Sequence, residues 1–300
     1  MLNGISYSNY VVAFVDVLGQ KKEFDGIDVL TTNSMGPDFE KKLLAAHNST
    51  VGFLAIFRKW FDDYFRAFIA IGKSFDKIPP EKKEMYLEMI QCPLEHQYFS
   101  DSMLAFTSLE MKKYNLPAMN ALFGIMASCG TMLLLSFAAK KVFRAGIDLG
   151  IGTKMEDGQL YGPALFKAYH LERDVAKYPR IVVGQTVIDY LMALAQKNSP
   201  DPNQPPEDLE LCKKAADRCL SVIGKDDDGQ FILDYLGNPF RSFEEQAPQK
   251  KEYDDLYEKA FLFICAEREK WKNLKDDTLA VRYERLYNYF KRKGFKEVLK

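Results

Sequence analysis

Residues 10–24, YVVAFVDVLGQKKEF, form an apolar run broken by a single carboxylate. Val11 to Val15 carry only apolar side chains, Asp16 follows, and Val17, Leu18 and Gly19 precede a polar turn. A β-branched apolar run closed by glycine predicts a strand over residues 10–18. An ionised carboxylate inside such a strand costs on the order of several kcal/mol unless donors or cations offset it. Asp16 therefore needs a partner, or a place at the open end of the strand.

A second acidic interruption lies in residues 98–107, YFSDSMLAFT, where Asp101 breaks another strand-like run. Between the two, residues 31–37 form a loop rich in Asn, Gly and Pro, and apolar residues recur at helical spacing over residues 39–71. Residues 74–93 read as a connector with a short helix after Pro79 and Pro80. Residues 116–139 then run for 24 positions without a charge, long enough to cross a bilayer. Asn120, Ser128, Thr131, Ser136 and two glycines in that run, and strands on either side, predict instead a buried helix packed through small residues.

A strand follows from residue 142, then a turn at Glu156, Asp157 and Gly158. Further on, helices are expected over residues 164–176 and 186–196, around a strand at residues 180–183. Residues 197–208 form a proline-rich loop, a short helix starts near Leu209, and Asp228-Gly229 centres a hairpin. From Glu252 the chain is charged and helical, with an aromatic stripe through Tyr283, Leu286, Tyr287 and Phe290. The order is βαββαβ-like with additions, an α+β chain. The expected division is a catalytic domain over residues 1–240 and a helical extension over residues 241–300.

Among 300 residues, 47% are hydrophobic, enough for a sizeable core. The 41 basic and 42 acidic side chains leave a net charge of −1. No general basic field favours nucleic acid, so any anionic substrate must meet locally placed cations. The five cysteines and three histidines are scattered, which argues against zinc and for reduced thiols in a cytoplasmic setting. The first residues lack the features of a secretory signal.

Asp16 and Asp101, one on each interrupted strand, would converge in an antiparallel sheet. Two carboxylates suit hard divalent cations together with substrate phosphates. The plainer alternative is that each is a strand-end or turn residue, solvated or bonded to nearby amides.

The order of motifs resembles that of the class III nucleotide cyclases. Their first metal motif, F-x-D-I-x-G-F, is similar to Phe14-Val15-Asp16-Val17-Leu18-Gly19-Gln20, with Gln20 in place of the last Phe. Their second metal aspartate is matched by Asp101 within Phe99-Ser100-Asp101-Ser102-Met103. The strand R-x-G-I-H-x-G corresponds to Arg144-Ala145-Gly146-Ile147-Asp148-Leu149-Gly150. The segment W-G-x-x-V-N-x-A-x-R-L-E corresponds to residues 161–172, YGPALFKAYHLE. The resemblance spans about residues 8–240 and implies a ferredoxin-like palm with a central, mostly antiparallel sheet.

The resemblance also implies roles. Asp16, Asp101 and the Val17 carbonyl would hold two divalent cations, Mn²⁺ or Mg²⁺. Phe14 and the turn from Leu18 through Gly19 to Lys22 would bound the nucleotide and cradle its phosphates. Arg144 would neutralise triphosphate charge, or else pair with an acidic neighbour. The family's ribose-orienting Asn and its transition-state Arg fall on Phe166 and His170. Phe166 cannot donate a hydrogen bond, and His170 carries charge only when protonated. Lys167 or Lys225 are candidates to supply the lost cation, and His170 is otherwise a solvent-facing helix residue. Gln97 and Gln159 stand at the base-selecting positions.

Those glutamines, the residue 161–172 segment, the DDDG hairpin and the C-terminal RYERLYNYF resemble the pyrimidine cyclases of bacterial anti-phage (Pycsar) systems. That likeness implies cyclisation of UTP, or CTP, in a homodimer with composite sites. Asp16 and Asp101 of one subunit would face Gln97, Gln159 and His170 of the other. The product would be read by a separate effector, with no nucleic acid and no membrane span involved. Two other readings stay open: a degenerate cyclase-like domain that binds without turnover, and another palm-type nucleotidyl cyclase.

Overall fold

The computed structural model describes residues 6–25, 27, 36–69, 79–111, 117–196, 206–245 and 250–296. Most of the loops expected over residues 31–37 and 197–208, and part of the connector at 74–93, lie outside the described residues. Strand β1 spans Tyr7–Leu18 and ends at Gly19, whose φ of 83° is left-handed. Glycine takes that conformation without a Cβ penalty, so the chain can turn into the short 3-10 segment Gln20–Phe24.

Helix α1 (Pro37–His47) leads through a π turn, Asn48–Gly52, into α2 (Phe53–Ile69). The helical spacing read over residues 39–71 thus belongs to two helices, with residues 70 and 71 outside the described residues. The short helix α3 (Lys83–Ile90) follows Pro79 and Pro80 as expected. The run at residues 98–107 is not one strand but parts of two, β2 (Glu95–Phe99) and β3 (Ser102–Ser108). Ser100, at φ 55°, and Asp101 form the turn between them.

Next come α4 (Met119–Ala138), β4 (Val142–Lys154), β5 (Leu160–Tyr161) and α5 (Pro163–His170). The helix expected over residues 164–176 changes after His170 into a π turn, Leu171–Val175. The chain continues with β6 (Ile181–Val183), α6 (Gln185–Gln196), α7 (Pro206–Ser221), β7 (Ile223–Lys225) and β8 (Phe231–Leu233). It ends with α8 (Asn238–Glu245), which the sequence reading missed, α9 (Lys250–Asn273) and α10 (Asp277–Arg292).

The sheet order is β2-β3-β1-β4-β6-β8-β7, with β5 paired to β4. β1 is antiparallel to both β3 and β4, and only β4 and β6 pair in parallel. Its first four strands, with α2 and α4 as crossovers, make a ferredoxin-like βαββαβ palm. The fold is α+β with a mostly antiparallel central sheet.

β1 is buried on both faces, which explains its near-continuous apolar run. Val11, Ala13, Val15 and Val17 join the main core with Phe57, Phe61 and Phe65 of α2 and with Leu122, Met126 and Leu133 of α4. Tyr10, Val12 and Phe14 face the other way, onto Leu104, Phe106, Ala164 and Ala168. The uncharged run is α4, long and apolar enough to cross a membrane but buried along nearly its whole length. Its small residues admit neighbours as expected: Gly124 meets Phe65 and Ile69, and Gly130 meets Phe240. Phe261, Ile264, Leu286 and Phe290 of α9 and α10 lie in that same core.

Candidate active site

Strand alternation places Asp16 on the face of Phe14 and Val12, at the end of β1. In the ladders Asp16 stands opposite Ser102 on one side and Arg144 on the other. Directly opposed side chains share a face, so three strands bring these groups together. Ser102 Oγ donates to Asp16 Oδ1 at 2.9 Å. Arg144 Nη2 lies 3.6 Å from Asp16 Oδ2. The backbone N–H of Val17 donates to the Asp101 carbonyl at 3.1 Å, which pins the β2–β3 turn against the end of β1.

The Asp16 carboxyl is pushed above its ordinary pKa mainly by burial, and the Asp101 charge adds to the shift. Ser102 and Arg144 oppose it without cancelling it. The proximity of Asp16 and Asp101 expected from the sequence is therefore present in a single chain.

A third carboxylate, Glu172, completes the group. Arg144 Nε donates to Glu172 Oε1 at 2.5 Å, and the Glu172 side chain is only 3% exposed. Burial raises the Glu172 pKa, with Arg144 lowering it and Asp16 raising it further. Glu172 sits in the π turn after α5. That turn is drawn close to β4 because Gly146 has no Cβ: one built there would lie 2.3 Å from the Ala168 carbonyl oxygen and 2.6 Å from the Glu172 nitrogen. Glu172 belongs to the quoted 161–172 segment, but no spacing rule links it to Arg144. Of the two partners open to Arg144, the acidic neighbour holds its Nε.

The local balance is three carboxylates to one guanidinium. An all-oxygen donor set with excess negative charge is the chemistry that hard divalent cations require. Asp16 and Asp101 fit such a role. Among the described residues no group of three or more His, Cys, Asp or Glu is arranged to hold a metal ion, so substrate phosphates would have to supply further oxygens.

Phe14 lies beneath this end of the sheet, its ring centre 6.4 Å from Phe99 and 5.1 Å from Tyr169. Leu18 is half-buried and Gly19 exposed. His170 is exposed and pairs with Asp174, Nδ1 to Oδ2 at 2.9 Å. Phe166 is exposed and meets Tyr161 edge-on at 5.2 Å. Lys167 Nζ donates to Thr186 Oγ1 at 3.0 Å, and its charge lowers the pKa of Asp148, which burial raises more strongly. Lys225 lies on β7 with its Nζ 4.9 Å from the Phe231 ring centre.

Gln97 pairs with Leu104 on the site's face of the sheet, buried, with its Oε1 lacking a hydrogen-bond partner. Gln159 is exposed in the β4–β5 turn, past Thr153, which pairs with Tyr7 at the far end of β1 from Asp16. Nine strand positions separate those ends, about 30 Å. One chain does not bring Gln159 to Asp16.

The fold and site define an α+β palm that carries a carboxylate pair at adjacent strand ends. No family model and no curated protein matches the sequence. Among solved structures, a class III adenylyl cyclase-like ATP-binding protein from Pseudomonas aeruginosa is similar at 14% identity and a TM-score of 0.33. The match covers 71% of this chain and 41% of that one, less than half its length. So remote a likeness carries none of the reasoning that follows.

Proposed function

We propose that the protein is a nucleotide cyclase that converts UTP, or as second choice CTP, to the 3′,5′-cyclic monophosphate and pyrophosphate. The observation that carries this reading is the meeting of Asp16 and Asp101 at adjacent strand ends, beside a turn at Gly19. Asp16, Asp101 and the Val17 carbonyl would hold two divalent cations, Mn²⁺ or Mg²⁺. Those ions, when bound, supply Lewis acidity at the ribose 3′-oxygen and neutralise phosphate charge.

In the reaction the 3′-oxygen forms a bond to the α-phosphorus as the bond from the α-phosphorus to the pyrophosphate oxygen breaks. The hydroxyl proton passes to solvent. Ser102 holds one Asp16 oxygen by its hydroxyl, and Arg144 faces the other, so the carboxylate is oriented before substrate arrives. The turn from Leu18 through Gly19 would present backbone N–H groups to the phosphates.

The separation of Gln159 from Asp16 supports a homodimer, in which the partner subunit would supply the base-selecting side. Phe99, Phe166 and Tyr169 are exposed on or beside this face, an aromatic surface suited to such a contact. The motif resemblance to the pyrimidine cyclases of anti-phage systems supports a role in second-messenger synthesis for anti-phage defence, in the cytoplasm, with the product read by a separate effector.

A second reading, nucleotide binding without turnover, is favoured by two observations: Arg144 is paired with Glu172, and the Phe166 side chain has no hydrogen-bonding capacity. Incubation of the purified protein with each of the four ribonucleoside triphosphates and Mn²⁺ separates the two. Cyclic UMP or cyclic CMP that disappears in Asp16→Ala and in Asp101→Ala supports the cyclase. Full turnover in either folded variant removes the carboxylate assignment, and nucleotide binding without product selects the second reading.

A further inference from the structure

A groove of about 990 Å³ lies between the Leu18–Gly19 end of β1, the end of α4 and the helices α9 and α10. Six cationic side chains line it against two carboxylates, Glu23 and Glu267. Lys141 is neutralised by Glu23 at 2.7 Å, and Lys270 by Glu267 at 2.9 Å. Lys22, Lys140, Lys259 and Arg282 make no ion pair among the described residues, so four positive charges converge on one concavity. Like charges gathered this way raise the folding free energy and focus a positive potential into the groove.

The walls are ordered and partly apolar. Trp271 donates from Nε1 to Glu267 Oε2 at 2.7 Å, which fixes its indole. Lys22 and Lys270 hold their ammonium groups 5.0 and 4.6 Å from that ring's centre. Leu262, Phe263 and Leu279 add an apolar surface. The volume stands at the upper end of the ~300–1,000 Å³ typical of small-molecule sites. A bare inorganic anion would leave the apolar surface uncovered, and an uncharged ligand would leave the four cations unmatched.

We propose that this groove binds an organic phosphate of nucleotide size, at a site separate from Asp16 and Asp101, with the turn from Leu18 through Gly19 to Lys22 as shared wall. The claim does not depend on the cyclase reading, because it needs neither the carboxylate pair nor turnover.

Titration calorimetry on the full chain in EDTA, with UTP as probe, tests it. The expected result is saturable binding that persists in Asp16→Ala/Asp101→Ala and weakens at least ~10-fold in Lys259→Glu/Arg282→Glu. Inorganic tripolyphosphate should bind more weakly than UTP, because it has no body to cover Leu262 and Phe263. Thermal melts confirm folding, and the single exposed change Lys259→Glu serves if the double variant does not fold. No binding, binding that survives the charge reversal, or equal binding of tripolyphosphate would each overturn the proposal.

Discussion

Arg144 and Glu172 form a largely buried ion pair, Nε to Oε1 at 2.5 Å, and the same guanidinium faces Asp16 from across the β1–β4 ladder. The arginine is held in place from beneath and turned toward the carboxylate at the strand end. Truncating one member of such a pair leaves the other desolvated and alone. Arg144→Met should therefore cost about 3–5 kcal/mol in urea unfolding. Arg144→Met/Glu172→Met should recover most of that loss, because neither charge remains. A double variant as unstable as Arg144→Met would show that the arginine packs rather than pairs.

Asp16 titrates with a sign opposite to most surface carboxylates. Its folded pKa is raised, chiefly by burial, so the folded state binds its proton more tightly than the unfolded chain does. The stability from that proton is fully present below the ordinary value of 3.8 and lost as pH rises through the raised one. Asp16→Asn keeps an acceptor for Ser102 and removes the charge. It should melt higher than wild type at neutral pH, with an advantage that shrinks as pH falls through the raised pKa of Asp16. The comparison isolates Asp16 from Glu23, Asp228 and Glu284, whose pKa values are lowered by their cationic partners. An advantage that stays flat with pH would assign the gain to something other than titration.

The palm was legible because its signals are local. β1 shows as an apolar run closed by glycine, and Asp16 stands out as the residue that breaks it. The Ser100–Asp101 turn was harder to place: both are customary turn residues, but the turn is only two residues long and the apolar pattern resumes at once. Glu172 closes the quoted 161–172 segment, but its pairing with Arg144 carried no signal. Its contact with Arg144 spans 28 positions and depends on a π turn and on the missing Cβ of Gly146. The groove beside α9 escaped for the same reason: its cations come from four separate segments, and only packing unites them.

Gly146 turns that packing into a measurable requirement. A methyl group there would meet the Ala168 carbonyl and the Glu172 nitrogen, both backbone atoms that no rotamer change can move. Gly146→Ala should destabilise the fold by about 2–3 kcal/mol, measured by urea titration. It should also lower turnover more than Gly36→Ala, at an exposed position of φ −70° with nothing within 4 Å of the added methyl. Equal behaviour of the two would mean that the π turn stands off β4 more than its backbone contacts indicate.

Gln97 is buried on the site's face with Oε1 unpartnered, an arrangement that costs stability in the free protein. Replacing it with methionine, of similar shape, removes the orphaned carbonyl and should raise unfolding free energy by about 1 kcal/mol. If the amide is retained to meet a nucleotide base, the same change should raise KM for the triphosphate about 10-fold with kcat altered far less. The two effects together would mark Gln97 as a recognition group held at the expense of stability. A stabilised variant with unchanged KM would show that its amide serves no substrate, and base selection would have to come from elsewhere on the site's face.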